Sequence, residues 1–171
     1  MSSENGVARA QFVGPGEGRA IWFLRNRMNV KATAATTGGA FGLVESVIAP
    51  GFSPPLHVHH KEDEAFYVLE GEVTMQCGDR RFRATAGAFV FLPRDVPHTF
   101  VVEGDRPARM LTLLTPGGGE GVFIDGGREP DGEGLPPALP PDIEKLKRVS
   151  AAYGAEIVGP PLAAGSARPP V

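Results

Sequence analysis

The sequence predicts an all-β fold with one helix near its C-terminal end, and three observations point to it. Twenty-three glycines and 17 prolines in 171 residues fall mostly between short apolar runs, where they punctuate turns. From residue 7 to residue 125 those runs are rich in Val, Phe, Leu, Ile and Thr, each bounded by Gly, Pro or Asp, the pattern of about ten strands. Helical spacing of apolar residues is confined to the stretch beyond residue 141.

The clearest strands begin with 20–25, 30–36 and 41–48, each rich in apolar, β-branched or aromatic residues. Strand 65–69 runs into Glu70-Gly71 and continues as 72–77; Gly78-Asp79 then leads into 80–84. Pro93-Arg94-Asp95 separates 88–92 from 98–102, and 109–115 closes the series. Connections this short make neighbouring strands antiparallel. A chain of 18.0 kDa without an internal repeat is expected to form one domain, with the barrel over residues 1–125.

Residues 126–141, crowded with Gly, Pro and acidic side chains, are expected to form a surface loop. Ile143, Leu146, Val149 and Tyr153 then recur at helical spacing and Gly154 stops them, which predicts an amphipathic helix over 142–154, docked on the barrel or on a second subunit. The tail 163–171 is expected to be disordered.

A net charge of -3 with scattered Lys and Arg offers no patch for phosphates, so nucleic acid is not an expected partner. Apolar stretches fall well short of the roughly 20 residues that span a bilayer, and the first ten residues lack the apolar core of a signal peptide. The lone Cys77 has no internal disulfide partner. These features lead to an expected cytoplasmic location without membrane association. Cys77 alternates with Val73 and Met75 and reads as a small buried hydrophobe.

Chemistry concentrates in the segment from Gly51 to Gly71. His57 and His59 stand two apart, so on an extended strand both imidazoles point to one face, and Glu64 can return to them after a turn. Imidazole nitrogen with carboxylate oxygen suits a borderline divalent ion, Fe, Mn, Co, Ni, Cu or Zn. His60 follows directly and so faces the other way, toward solvent; Glu62 and Asp63 read as a solvated acidic turn.

These positions resemble the first motif of the cupin superfamily, Gly-x5-His-x-His-x4-Glu-x6-Gly, at Gly51, His57, His59, Glu64 and Gly71. The second motif, Gly-x5-Pro-x-Gly-x2-His-x3-Asn, is matched at Gly87, Pro93 and His98, with Asp95 in place of Gly and Val102 in place of Asn. Neither replaced position is a ligand in that family, so the departures bear on turn geometry. The resemblance covers roughly 39–116. It implies a single-domain cupin, a jelly-roll-like double-stranded β-barrel with His57, His59, Glu64 and His98 holding one divalent transition metal inside.

Three neutral imidazoles and a carboxylate around a divalent ion leave a charge of about +1 and open positions that suit an anionic oxygen donor. Phe66, Met75, Phe89, Phe91, Phe100 and Met110 are the expected pocket walls, with Thr112 also a candidate and Trp22 and Phe41 as possible closures of the mouth. The ligand set resembles that of quercetinase-like cupins, the flavonol dioxygenases. That implies an oxygenase acting on a small aromatic, enolic or polyketide-like molecule, with Glu64 as ligand and general base. The alternatives are a redox-neutral isomerase, cyclase or decarboxylase, and a non-enzymatic module that holds metal or a small ligand. The family also implies a homodimer, for which residues 21–24 and the C-terminal helix offer a surface.

Overall fold

The computed structural model describes residues 10–165. Strands β1 (Arg19–Phe23), β2 (Asn26–Ala32), β3 (Gly42–Ile48), β5 (Asp63–Glu70), β8 (Phe89–Leu92) and β10 (Ala108–Thr115) form a six-stranded sheet in the order β1-β2-β3-β10-β5-β8. Facing it, β4 (Pro55–His59), β6 (Glu72–Cys77), β7 (Arg80–Thr85), β9 (His98–Val102) and β11 (Ala155–Pro161) are ordered β11-β4-β9-β6-β7. Neighbours pair antiparallel throughout, giving the jelly-roll barrel implied by the motifs. Three helices complete the described residues: α1 (Ala34–Thr37), α2 (Gly121–Gly126) and α3 (Ile143–Ala152). No helix among them is long and apolar enough to cross a membrane.

The inward faces of both sheets fill one half of the barrel with apolar side chains. Val68, Val73, Met75 and Met110 are fully buried there. A second cluster lies toward the other end, where Ile21, Phe23, Met28 and Val44 pack under Val122 of α2 and Leu146 of α3. α3 starts at Asp142, whose Oδ1 accepts the Lys145 N–H at 2.9 Å, and it docks on this chain's own barrel. Gly121 is required where α2 meets α3, because a Cβ there would lie 2.1 Å from the Tyr153 ring.

Several expectations shift. The strand expected over 30–36 ends at Ala32, and residues 34–37 turn into a helix behind Thr33, whose capping box with Thr36 offers the backbone an alternative to the sheet. Residues 155–161, to which the sequence pattern assigns no element, form β11 against β4; Gly159, Pro160 and Pro161 conceal it, and the register shifts around Gly159 and Pro161 where an edge strand tolerates them. Ile21, Trp22 and Phe23 are buried within the chain, which removes them as the surface expected to meet a second copy. Residues 164–165 lie in a turn, while 166–171 of the expected disordered tail and residues 1–9 lie outside the described residues.

Candidate metal centre

The two-residue period of β4 turns His57 and His59 to the same inward face. β9 opens with His98, which is the register partner of His57, and Glu64 arrives from β5 in the opposing sheet. One donor atom from each of the four lies within 4.8 Å of every other. His59, Glu64 and His98 are buried, and His57 is partly exposed toward a cavity. The turn that delivers His98 carries Asp95 at φ +63°, so Asp takes the left-handed conformation for which the family motif uses Gly. The Asp95 N–H donates to the His59 carbonyl at 2.8 Å, and its carboxylate meets Nδ1 of the exposed His60 at 2.7 Å.

Hydrogen bonds set the tautomers. Nδ1 of His57 lies 2.8 Å from the Pro55 carbonyl and Nδ1 of His98 lies 2.9 Å from the Val96 carbonyl. A carbonyl only accepts, so both Nδ1 atoms carry hydrogen and both Nε2 atoms are left for the centre. Nε2 of His98 is 3.0 Å from Oε2 of Glu64, and Nε2 of His59 is 3.8 Å from the same oxygen.

Burial pushes His57 down to about 4, with the neighbouring His98 lowering it further. Burial opposes the charge on Glu64, yet the His98 hydrogen bond and the three imidazoles outweigh it and hold the carboxyl at about 2. Burial likewise opposes the charge on His59, but Glu62 and Glu64 outweigh it and raise the imidazole. A lone pair on His98 facing an ionised carboxylate at 3.0 Å requires a cation between them, a proton or a metal ion.

That requirement is a test of fit, and the residues pass it. Donors about 2.1 Å from one ion sit about 3 to 4.2 Å apart, close to the separations seen here, and imidazoles with one carboxylate match a borderline divalent ion. Glu62 adds a carboxylate behind a ligand: it is 3 % exposed, and its Oε2 lies 3.6 Å from Nδ1 of His59, each atom otherwise without a partner. The acidic turn is therefore not solvated at Glu62, because the backbone of Gly118 and Gly119 packs onto it; a Cβ on Gly119 would lie 3.1 Å from its carboxyl carbon. Asp63, by contrast, is the turn's surface residue, paired with Arg94 at 2.9 Å.

The four side chains lie at one end of a cavity of about 840 Å3 counted with its open mouth. Phe66 and Phe100 line it, as does Thr112. Met75 and Met110 also face inward but lie outside it, fully buried in the apolar half. Phe89 and Phe91 are exposed on the outer face, at 64 % and 55 %, because β8 pairs with β5 so that Val90 and Leu92 accompany Phe66 and Glu64 inward. Sequence reasoning missed Asn26, Ser46, Phe52, Leu146 and Ile157 as walls. The last two come from α3 and β11, which close the cavity opposite the six-stranded sheet.

None of residues 126–141 lines it: the loop wraps Trp22, whose Nε1–H donates to the Gly134 carbonyl at 3.0 Å and whose ring lies 4.6 Å from the Arg128 guanidinium. Phe41 lines a separate outer groove. Cys77 is half-buried against the apolar core, and burial raises its thiol.

Residues 44–114 match the cupin domain family. Quercetin 2,3-dioxygenase of Bacillus subtilis is 27% identical over 143 residues, 84% of this chain and 42% of that protein. A polyketide synthase protein of Streptomyces cyaneus, CurC, is 32% identical over 84 residues, 49% of this chain and 53% of its own. This chain spans 42% to 59% of the length of the curated relatives it matches. Among solved structures, a predicted oxalate decarboxylase from Thermotoga maritima superposes with a TM-score of 0.56 at 20% identity, covering 62% of this chain and 99% of that one.

Proposed function

We infer from its membership of the cupin superfamily, carried by residues 44–114, that this chain is a metal-dependent oxygenase acting on a small aromatic, enolic or polyketide-like molecule. The observation that carries this reading is the inward His57, His59, Glu64 and His98 group at the end of an aromatic-walled cavity. The resemblance to quercetin 2,3-dioxygenase along 84% of the chain supports it.

Those four side chains would hold one divalent transition metal, which when bound supplies Lewis acidity toward a substrate oxygen and, if redox-active, electron exchange with dioxygen. The protein's own part is to place and dry the substrate. Phe66 and Phe100 line the cavity and offer flat apolar faces, and Leu146 of α3 adds apolar wall. Glu64 lines the cavity and would take the proton of a substrate hydroxyl, the role that the resemblance to quercetinase-like cupins implies. A homodimer and a cytoplasmic location belong to the same reading.

Oxygen uptake tests it. Protein reconstituted with each of Fe, Mn, Co, Ni, Cu and Zn is presented with quercetin and simpler enolic phenols in an oxygen electrode. Uptake is expected with at least one redox-active metal and should vanish in a His57→Ala/His59→Ala variant. Metal-dependent turnover without oxygen would replace the oxygenase reading by isomerase, cyclase or decarboxylase chemistry. Tight metal binding without turnover would leave a metal-holding module.

A further inference from the structure

The inner face of the six-stranded sheet is apolar on its four central strands except at four positions: Glu64 on β5, Thr112 on β10, Ser46 on β3 and Asn26 on β2. These are not scattered. Thr112 pairs with Phe66, two residues from Glu64; Ser46 pairs with Met110, two residues from Thr112; Asn26 pairs with Ile48, two residues from Ser46. Each step is one strand across and two residues along, a diagonal of about 7–8 Å between Cα atoms. All four line the same cavity, and each is at most 4 % exposed. At the end remote from the His/Glu group, Oδ1 of Asn26 is buried without a hydrogen-bond partner. A buried carboxamide whose oxygen is unpaired, on a residue in a cavity wall, is a position where a ligand completes the bond once the amide turns toward it.

We propose that Thr112, Ser46 and Asn26 form a second subsite that hydrogen-bonds oxygen substituents along the body of an elongated, mainly aromatic substrate whose reactive oxygen lies at the His/Glu end. The proposal rests on the oxygenase reading above and narrows its substrate class. Three diagonal steps of about 7–8 Å along the wall suit an elongated molecule of three or more rings rather than a short-chain acid. Phe23, Met28 and Phe66 supply apolar contact between the polar positions. The group that meets Asn26 Oδ1 is a donor, a phenolic hydroxyl in the simplest case.

The test compares two probes, 3-hydroxyflavone and quercetin, titrated into the zinc-loaded full chain and followed by fluorescence. Both carry the enolic oxygen, and only quercetin carries further hydroxyls. Quercetin is expected to bind about tenfold more tightly, the value of roughly one net hydrogen bond. In Asn26→Leu that ratio should fall toward one through loss of quercetin affinity, with the melting temperature unchanged or higher because an unpaired oxygen is replaced by methyl groups.

A ratio that survives in both Asn26→Leu and Ser46→Ala, or a ratio of one in the parent, overturns the subsite. Equal weakening of both probes with a lower melting temperature assigns Asn26 to the fold and also overturns it. The oxygenase reading is checked separately in the His57→Ala/His59→Ala variant. There, unchanged affinity for both probes removes the metal from binding while the quercetin ratio still reports on the subsite. No binding of either probe to the parent overturns both.

Discussion

In metal-free protein at neutral pH, His98→Ala should destabilise the fold far more than His57→Ala, although each removes a ligand. The difference follows from what each imidazole leaves behind. His98 is the 3.0 Å partner of the Glu64 carboxylate, and both are buried. Glu64 is held from 4.5 down to about 2, and at about 1.4 kcal/mol per pH unit its neighbours contribute roughly 3 kcal/mol. Stranding one member of a buried pair costs about 3–5 kcal/mol, the same order.

For a domain of this size each kcal/mol moves the melting temperature by about 2–4 °C, so His98→Ala should melt about 6–20 °C lower. His57, pushed down to about 4, is neutral at pH 7.5 and forfeits mainly its hydrogen bond to Pro55, about 1 kcal/mol. Circular dichroism melts at pH 7.5 in EDTA measure this, with His98→Gln as a variant that keeps an amide donor near Glu64 and should recover part of the loss. Plasma mass spectrometry without chelator should find metal lost from both alanine variants. If the two melt together, His98 does not hold the carboxylate and the electrostatic account of the centre fails.

Acid should weaken the metal-free fold in two stages. Below pH 6.5 the unfolded chain protonates His57 while the folded chain refuses the proton until about 4, so stability falls across that window by up to about 3 kcal/mol, and His57→Ala should flatten it in urea titrations at stepped pH. The Glu64 contribution, present above 4.5, is lost as pH falls toward 2. Glu62→Gln should weaken metal binding by about 10–100-fold in competition titrations with a chromogenic chelator while leaving the circular dichroism spectrum unchanged; His60→Ala, on the exposed side, should leave affinity at the parent value. Gly121→Ala drives a methyl into the Tyr153 ring and should cost about 1–3 kcal/mol of stability, read from chemical denaturation.

Much of the barrel is legible because its strands are bounded by residues that dictate backbone conformation. Gly78-Asp79 joins β6 and β7 as the expected antiparallel hairpin, whereas Glu70-Gly71 and Pro93-Arg94-Asp95 carry the chain from one sheet to the other, so the strands they join do not pair; Gly71 and Gly78 both have positive φ. The centre is legible for a related reason. The two-residue period of a strand places His57 and His59 on one side whatever surrounds them, and motif spacing supplies Glu64 and His98. β11 is hidden since its Pro and Gly content contradicts strand propensity, and only an available edge on β4 makes it one.

The sequence by itself determined the strand-rich architecture, the inward ligand pair and the outward His60, because turn chemistry and side-chain alternation are local. Tertiary structure decided which apolar residues meet the cavity. The run 88–92 is apolar at every position, so its own pattern leaves the choice of inner face open until pairing with β5 sends Val90 and Leu92 inward and Phe89 and Phe91 out. Met75 and Met110 face inward as their parity requires, yet lie outside the cavity because depth along the barrel axis is not encoded in alternation. The diagonal from Glu64 to Asn26 joins residues from four strands, and a juxtaposition of that kind exists only once inter-strand register aligns segments far apart in the chain.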